Sequence, residues 1–524
     1  MLAAAVALAF ADSSIVVLAA PDLLSRFETS IQSVSFVITA YNAVVAVGVL
    51  AFAAAARRFG PRWGVRAGLA VFAVGSILCA LAPGLGWLIG ARCVQALGAA
   101  LLLAGALPLL GVRAWAVTGA LGAALGPALG GFLTQAFDWR AIFVAQVPVA
   151  LLAAFVLAGV RVRPAGGGSD EQSPLRRVGA NVALALVSGA LAGALFLVVV
   201  LLVEGWGLSP LAAAAAVSTL PLATLAAWPL AARLGVVRAA GLGALLLAAG
   251  LAALALLPGD GIGWVAAALT LCGAGLGLAV PPLTRAALPG EASPGAWSTS
   301  ARHAGLVLGL VLLTPVLADD LARGGDRAKV AGAEVVLDAP IGASEKVPLA
   351  LDLAGSLADA SSGRLPDLAP AFERAQERAG SGGDVVELRR SLEETIRAVV
   401  TRSFRGAFAL AAGLALLSLL PLVLLRRGRL PPASGRRARA ALATVVAALA
   451  LPGAEIASGA LGYGAPAERD ACDPPASPPG GRVERTAWRG VDEAACALGT
   501  SRERLVLRVG TDNEVVRRIG ALLP

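Results

Sequence analysis

The chain has 524 residues, of which 57% are hydrophobic and only 15% are charged, and its formal net charge is +9. A water-soluble domain usually carries about 25% charged residues, so this composition excludes an ordinary soluble protein. Apolar runs of roughly 20 residues recur along the chain, and each is long enough to cross a hydrocarbon core of about 30 Å. The composition therefore predicts an all-α polytopic membrane protein.

Twelve apolar runs predict twelve transmembrane spans, which a charged linker at 161–177 divides into two sets of six. The first six predict an N-terminal bundle, residues 1–160, and the last six a C-terminal bundle, residues 178–425. This six-plus-six division is typical of secondary transporters. The predicted spans, numbered in chain order, are 2–21, 32–56, 65–82, 86–110, 114–135, 141–160, 178–203, 208–232, 237–257, 262–283, 298–318 and 404–425.

The first span could instead be a signal peptide. Its start, "MLAAAVALAF", has no positively charged region, however, and Asp12 interrupts the apolar run, so we favour a transmembrane helix. The run begins almost at Met1, which favours a short cytoplasmic lead upstream of the given start.

The arginines are grouped in alternate connections between the spans. Arg57, Arg58, Arg62 and Arg66 form one such group, whereas the connection at 83–87 contains neither arginine nor lysine. Cytoplasmic loops of membrane proteins are enriched in both residues. The pattern predicts a multi-pass cell membrane protein with a cytoplasmic N-terminus, and it explains the positive charge without a nucleic-acid partner. The preference for arginine over lysine and the many alanines favour a bacterial inner membrane.

A short internal repeat supports the two bundles. The stretch "RRFGPR" (57–62) follows the second span, and the similar stretch "ARLGVVR" (232–238) follows the eighth span, which is the second of its half.

Four further segments lie outside the twelve spans. The polar loop 319–403 follows the eleventh span, and an odd number of crossings from a cytoplasmic N-terminus places it on the outer side. Its stretch 385–400 predicts an amphipathic helix. The segment 426–439 is basic and therefore predicted to be cytoplasmic. A further apolar run, 440–461, predicts a thirteenth span, which would place the tail 462–524 outside the cytoplasm.

The tail contains two cysteines, Cys472 and Cys496. Cysteines in an oxidising compartment pair, so an outward-facing tail predicts a disulfide between them. The alternative is two unrelated thiols in a cytoplasmic tail. We expect no metal site, because His303 is the only histidine, and no cofactor.

Several motifs, in a fixed order, resemble those of one family, the drug:proton antiporters of the major facilitator superfamily. The resemblance implies the major facilitator fold, no enzymatic activity, and export of amphipathic, drug-like compounds by proton antiport with alternating access. The motifs are "ADSSIVVLAAP" (11–21), "ARCVQALGAA" (91–100), "GALGAALGPALGG" (119–131), "WRAIFVAQVP" (139–148), "GLSPLAA" (207–213) and "RHAGLVLG" (302–309).

The loop after span 2 departs from the family pattern. Arg57 stands where an aspartate is expected and Ala53 where a glycine is expected, while Arg58, Gly60 and Arg62 complete the loop. In the family this loop influences the switch between conformations. The departure therefore bears on whether the chain carries out ordinary alternating access.

Asp12 is an acid inside an apolar span, and such acids usually face the interior of the helix bundle. Burial favours protonation of a carboxyl group, whereas a nearby cation opposes it. Arg92 in span 4 is the obvious cation. Asp12 could exchange a proton or a cationic substrate with Arg92 tuning it, or the two could form a permanent structural ion pair between spans 1 and 4.

Span 5 carries small residues with helical spacing and one proline. Glycines spaced by four residues allow close helix contact, and a proline can kink a helix. The resemblance implies a kinked gating helix, whereas ordinary small-residue packing would also explain the glycines. The residues are Gly122, Gly126, Pro127, Gly130 and Gly131.

Four residues are candidates for a substrate pocket: Tyr41, Asn42, Gln95 and Trp115. Tyr41, Asn42 and Gln95 could instead hydrogen-bond between helices, the interpretation we favour for Asn42. Tryptophans such as Trp115 also favour membrane interfaces. His303 could relay protons or could lie at the cytoplasmic interface next to Arg302.

No phosphate-binding P-loop motif occurs in the sequence, so direct drive by ATP is not expected. The partners expected are a small-molecule substrate, protons and membrane lipid. One hypothesis is a proton-driven exporter. The other is a transporter-derived sensor or envelope scaffold that binds an envelope protein through the outward loop and tail.

Overall fold

The computed structural model describes residues 1–159, 173–288, 292–339, 349, 353, 372–374, 383–426, 472 and 482–511. Every regular element within these ranges is a helix. Eleven of the described helices are long and apolar enough to cross a membrane. They correspond to predicted spans 1–4 and 6–12, and the predicted all-α polytopic fold is confirmed.

The helices that build the membrane part follow the chain without intervening strands in the described ranges. They are α1 Leu2–Ile15, α2 Ala20–Arg26, α3 Ile31–Phe59, α4 Pro61–Ala80, α5 Leu85–Ala136, α6 Arg140–Gly159, α7 Pro174–Val200, α8 Pro210–Val217, α9 Thr219–Leu234, α10 Val236–Ala255, α11 Ile262–Ala287 and α12 Ala292–Asp338, followed by helices at Gly383–Ser403, Arg405–Leu417 and Leu422–Arg426.

Predicted span 1 is three helical pieces rather than one. The 3₁₀ turn Val16–Ala19 separates α1 from α2, and Pro21 lies in the first turn of α2. A proline has no backbone N–H to donate, so the first turn of a helix is where it is tolerated. The helical path continues to Arg26, beyond the predicted end at residue 21.

Predicted spans 4 and 5 are the two parts of α5. The backbone leaves helical geometry at Gly111, which has φ 74° and ψ 162°. The segment predicted as span 5 (114–135) is therefore helical, as the second part of α5. The backbone remains helical at Pro127, where the sequence predicts a kink.

The segment predicted as an outward loop, 319–403, is helical at both ends. Helix α12 continues to Asp338, well past the predicted end of span 11 at residue 318, and a further helix covers Gly383–Ser403. Hydropathy detects where a helix leaves an apolar environment, not where its backbone hydrogen bonds stop, so the sequence places the end of span 11 too early. The predicted amphipathic helix at 385–400 is confirmed.

Close helix contacts repeat in the two halves of the chain. An added Cβ at Gly122 or Gly130 of α5 would overlap the backbone oxygens of Ala7 and Ile15 in the first span. The same arrangement recurs between α12 and α7, where an added Cβ at Gly305 would overlap the Ala185 oxygen and one at Gly309 the Gly189 oxygen. Small residues let helix backbones approach closely in membranes, so both halves pack a first and a fifth helix in the same way.

The sequence repeat also has a backbone counterpart. Gly60 joins α3 to α4 with φ 89°, and Gly235 joins α9 to α10 with φ 72°. Positive φ values strain residues that carry a Cβ, so both copies of the repeat place a glycine at the turn. The short repeat thus marks an equivalent turn in each half.

The chain divides into two compact units. The first comprises residues 1–318 and 404–455 and contains the membrane helices, and the second comprises 319–403 and 456–524. In the second unit, Arg502 donates to Asp338 at 2.8 Å, and the sulfur atoms of Cys472 and Cys496 are bonded. Its apolar core is formed by Val336, Leu349, Leu353, Phe372, Leu388, Leu392 and Ile396.

Three predicted segments lie mostly or wholly outside the described residues. They are the linker 161–177 up to residue 172, the basic segment 426–439 beyond Arg426, and the thirteenth span 440–461.

Replacing Gly122 with valine is expected to destabilise the protein, because the new side chain would overlap the backbone of Ala7. Overpacking of this kind costs about 1–3 kcal/mol. Gly90, in the same helix, is the matched control, since nothing lies within 4 Å of a Cβ added there. Thermal unfolding of the purified protein in detergent should give a clearly lower midpoint for Gly122→Val than for Gly90→Val. Equal midpoints would contradict the close contact.

Candidate functional site

Asp12 lies on α1, in the apolar interior of the first membrane helix, and its side chain has no exposed surface. Its Oδ2 atom accepts a hydrogen bond from Arg92 Nη1 of α5 at 2.5 Å, and Arg92 is equally buried. An isolated charge in this environment would be very costly, so each of the two charged groups needs the other.

Two glutamines complete the surroundings of the carboxylate. Gln146 of α6 donates through Nε2 to Asp12 Oδ1 at 2.6 Å, and Gln95 Nε2 approaches the same oxygen at 3.4 Å. Gln95 Oε1 accepts from Arg92 Nη1 at 2.6 Å, and Gln95 Nε2 donates to Gln146 Oε1 at 2.7 Å. The four side chains therefore form one continuous hydrogen-bonded network, which we call the Asp12 network.

Further groups enclose this network. Ser76 of α4 accepts from Gln95 Nε2 at 2.9 Å. The guanidinium carbon of Arg92 lies 4.1 Å from the centre of the Tyr41 ring and 5.8 Å from that of Phe143. Aromatic faces stabilise a cation when water is excluded. The Tyr41 hydroxyl donates to the Ala9 backbone oxygen at 3.1 Å.

The Asp12 network is electrically balanced. The charges of Asp12 and Arg92 cancel, and the carboxylate oxygens accept from three polar groups, Arg92 Nη1, Gln146 Nε2 and Gln95 Nε2. The network can therefore act as a stable ion pair, or it can release Arg92 when a proton binds to Asp12. Both interpretations from the sequence fit this geometry.

A second polar group lies between the two halves of the chain. Asn42 Oδ1 on α3 is 2.7 Å from His303 Nδ1 on α12, and both side chains are buried. The His303 ring stacks on Phe10, with ring centres 6.2 Å apart. Phe10 also meets Trp115 edge-on at 5.5 Å, and the Arg302 guanidinium lies 5.0 Å from the Phe10 ring centre. We call these five residues the Phe10 cluster.

The four predicted pocket residues are thus divided between two groups. Tyr41 and Gln95 belong to the Asp12 network, whereas Asn42 and Trp115 belong to the Phe10 cluster. His303 is buried inside the protein, with its ring stacked on Phe10.

The small residues of α5 face two different neighbours. An added Cβ at Gly126 would overlap Ser14 of α1, just as an added Cβ at Gly122 or Gly130 would overlap the first span. Gly131 instead faces Ala214 of α8, in the other half. The second part of α5 therefore lies between a helix of its own half and one of the opposite half.

The loop at Gly60 keeps its predicted place between α3 and α4. Arg58 and Arg62 are exposed, and the Arg58 guanidinium lies 5.7 Å from the ring centre of Phe59. The side chain of Arg57 is outside the described atoms, so the effect of the missing aspartate stays a prediction.

Sequence reasoning missed Gln146 and Ser76 as members of the Asp12 network. The signal was available, since both are polar residues inside apolar spans and Gln146 lies in the stretch "WRAIFVAQVP". Only their positions beside Asp12 and Gln95 distinguish them from ordinary polar residues in membrane helices.

Residues 2–312, more than half of the chain, match the model of the Major Facilitator Superfamily. The chain belongs to this superfamily. Members of the Major Facilitator Superfamily are membrane transporters, so the predicted transporter class is confirmed and the sensor or scaffold alternative is not favoured.

Two curated relatives indicate what related superfamily members do. The chain is 30% identical over 164 residues to the riboflavin transporter RibZ of Clostridioides difficile, covering 29% of this chain and 36% of RibZ. It is 31% identical over 159 residues to the multidrug resistance protein Stp of Mycobacterium tuberculosis, covering 28% of this chain and 30% of Stp. The matched segments thus span about a third of the length of these relatives.

A solved structure shows the same fold over most of the chain. It is a bacterial homologue of the human lysosomal transporter Spinster, in an inward-facing and unoccupied conformation. The TM-score is 0.54 at 15% identity, with 82% of this chain and 98% of that chain covered.

Replacing Arg92 with glutamine is expected to destabilise the protein by about 3–5 kcal/mol, because it leaves the buried Asp12 carboxylate without its counter-charge. The double replacement Asp12→Asn with Arg92→Gln should recover much of that loss, since neither charge then remains. Thermal and denaturant unfolding in detergent measure both effects. If the double variant were as unstable as the sum of the two single variants, the two charges would not be coupled.

Proposed function

We propose that this transporter exports amphipathic or lipophilic organic compounds from the cytoplasm across the cell membrane, in exchange for protons. The observation that carries the proposal is the fully buried Asp12 carboxylate, the one acid of the described interior of α1, held by a cation and two amides. The multidrug resistance relative Stp and the small-residue face of α5 support an export role.

In the proposed cycle, Asp12 carries the proton. A proton that binds to Oδ1 or Oδ2 neutralises the carboxylate and removes the attraction that holds Arg92 Nη1. Arg92 keeps its hydrogen bond to Gln95 Oε1 and its contact with the Tyr41 ring, so its charge remains stabilised while the ion pair is open. Deprotonation on the other side of the membrane re-forms the pair.

The second part of α5 connects this event to the opposite half of the protein. Its glycines contact α1 next to Asp12, at Ala11 and Ser14, and its Gly131 contacts α8. A shift of α1 on protonation would therefore press directly on the helix that meets the other half. This contact gives Gly122, Gly126, Pro127, Gly130 and Gly131 their proposed gating role, with alternating access as the overall motion.

An ion gradient supplies enough energy for this exchange. Moving one charge across 100 mV yields roughly 2.3 kcal/mol, which is sufficient for modest concentrative export. The substrates to compare first are drugs of different chemical classes and riboflavin, because the names of Stp and RibZ indicate multidrug resistance and riboflavin transport.

We also propose that the tail lies on the same outer side of the membrane as the segment 319–403. The contact between Arg502 of the tail and Asp338, at 2.8 Å, supports this. Because the span after residue 403 crosses the membrane, a tail on that side requires a further crossing between residues 427 and 471. The apolar run 440–461 is long enough to provide it.

Replacing Asp12 with asparagine is expected to abolish substrate flux driven by a pH gradient, because the asparagine side chain does not bind and release a proton. Substrate counterflow, which needs no net proton movement, should continue. The measurement is efflux from reconstituted vesicles with an imposed pH gradient, together with proton release on substrate addition.

The matched control is Asp22→Asn, which removes another acid from the first membrane span without touching the Asp12 network. This variant should keep pH-driven flux. Full pH-driven activity in Asp12→Asn, with substrate transport intact, would exclude proton binding by Asp12.

The side of the tail can be tested with intact cells. After treatment with a membrane-impermeant reductant, an impermeant maleimide should label Cys472 and Cys496 from outside. The control is a variant with both replaced by serine, in which only Cys79, Cys93 and Cys272 remain. If labelling occurred only after permeabilisation, the tail would be cytoplasmic and the proposed extra crossing would be wrong.

A further inference from the structure

Arg302 is a cation in the membrane part of the protein that lacks a balancing acid. It lies on α12 within the apolar helix that begins at Gly295, and it is half-buried. Among the described residues, no carboxylate lies within 4 Å of its guanidinium. The guanidinium carbon instead lies over the Phe10 ring, 5.0 Å from the ring centre. The Asp12 charge is already neutralised by Arg92.

His303, the next residue, adds a second unsatisfied group. Asn42 Nδ2 donates to the Ile38 backbone oxygen at 2.8 Å, so Asn42 Oδ1 is the acceptor that faces His303 Nδ1. Nδ1 therefore carries the proton, and Nε2 of the neutral ring is a hydrogen-bond acceptor. Within the described structure this Nε2 atom is buried and has no hydrogen-bond partner. A buried polar atom without a partner is costly unless a ligand or water satisfies it.

One aromatic ring contacts both of these groups, and a second ring packs against the first. Phe10 contacts both Arg302 and His303, and Trp115 meets Phe10 edge-on. The position that a Cβ on Gly119 would take is 3.6 Å from Arg302 Nη1 and 3.3 Å from the Phe10 ring, so Gly119 of α5 packs directly against both. The Phe10 cluster therefore combines a cation, an acceptor and aromatic faces where the two halves of the chain meet.

We propose that the Phe10 cluster binds aromatic organic anions that also carry a hydroxyl or amine donor, with Arg302 pairing with the anionic group and His303 Nε2 accepting from the donor. This deepens the proposed function and rests on it for the role of the site in transport. Among the described side chains, the Asp12 network is neutral overall and Arg302 adds one positive charge, so the charge at the Phe10 cluster favours anions over cations.

The test compares three ligands of the same shape: 6-hydroxy-2-naphthoate, its neutral amide 6-hydroxy-2-naphthamide, and 2-naphthoate, which lacks the donor. Binding to the full chain in detergent is measured by equilibrium dialysis, without any gradient. The hydroxynaphthoate should bind about tenfold tighter than either of the other two. The amide lacks the charge that pairs with Arg302, and 2-naphthoate lacks the hydroxyl that donates to His303, and one such interaction accounts for about a tenfold change in affinity.

Two variants assign the preference to the named residues. Arg302→Gln should remove the preference for the anion over the amide while leaving amide binding unchanged, and His303→Phe should remove the preference for the hydroxyl. Arg285→Gln is the matched control, because Arg285 is an exposed arginine at the end of α11. It should keep both preferences.

Equal binding of the anion and the amide by the unaltered protein would overturn the proposal, as would an anion preference that survives Arg302→Gln. These outcomes are separate from those for proton exchange. Export of only neutral or cationic compounds in exchange for protons would support the proposed function and contradict the anion site. Anion binding without pH-driven flux would support the anion site and contradict proton-driven export.

Discussion

The buried ion pair between Asp12 and Arg92 is the interaction on which the N-terminal half depends. Neither charge can be tolerated alone in an apolar interior, so every neighbouring polar group is arranged to complete the pair. Gln146 and Gln95 contact the carboxylate, and the ring of Tyr41 faces the guanidinium. Helices α1, α3, α5 and α6 are therefore fixed relative to one another by the surroundings of one carboxylate.

This arrangement requires α1 and α5 to lie very close together. The glycines of α5 make that possible, because larger side chains at Gly122 and Gly126 would overlap α1. The same close contact between α7 and α12 in the second half, through Gly305 and Gly309, comes without a comparable ion pair among its described residues. The two halves thus share a packing scheme and differ in chemistry, with the proton-binding candidate in only one of them.

Helix α1 contributes to both the Asp12 network and the Phe10 cluster, through residues that are two positions apart. Asp12 faces the interior of its own half, whereas Phe10 faces the opposite half and contacts Arg302 and His303. Successive helical residues are rotated by about 100°, so positions two apart point to nearly opposite sides. A movement of α1 would change both groups at once, which would connect the proposed proton binding at Asp12 to the proposed substrate binding at the Phe10 cluster without a long chain of contacts.

The sequence alone determined the class of protein, the approximate positions of eleven apolar helices in the described residues and the candidate ion pair. Apolar length is a local property, and a lone acid in an apolar span requires a cation, so Asp12 and Arg92 could be identified without a structure. The equivalence of the two halves was visible in the sequence only as one short repeat, at the Gly60 and Gly235 turns.

Beyond the Asp12 and Arg92 pair, the tertiary structure alone decided which polar residues meet. Gln146 is 134 positions from Asp12, and His303 is 261 positions from Asn42. No spacing rule relates residues so far apart in the chain, because their approach depends on how whole helices pack. The continuation of α12 to Asp338 and the division of the predicted pocket residues between two groups could likewise not be read from the sequence. Hydropathy reports the environment of each segment, whereas the partner of each side chain is set by the neighbouring helices.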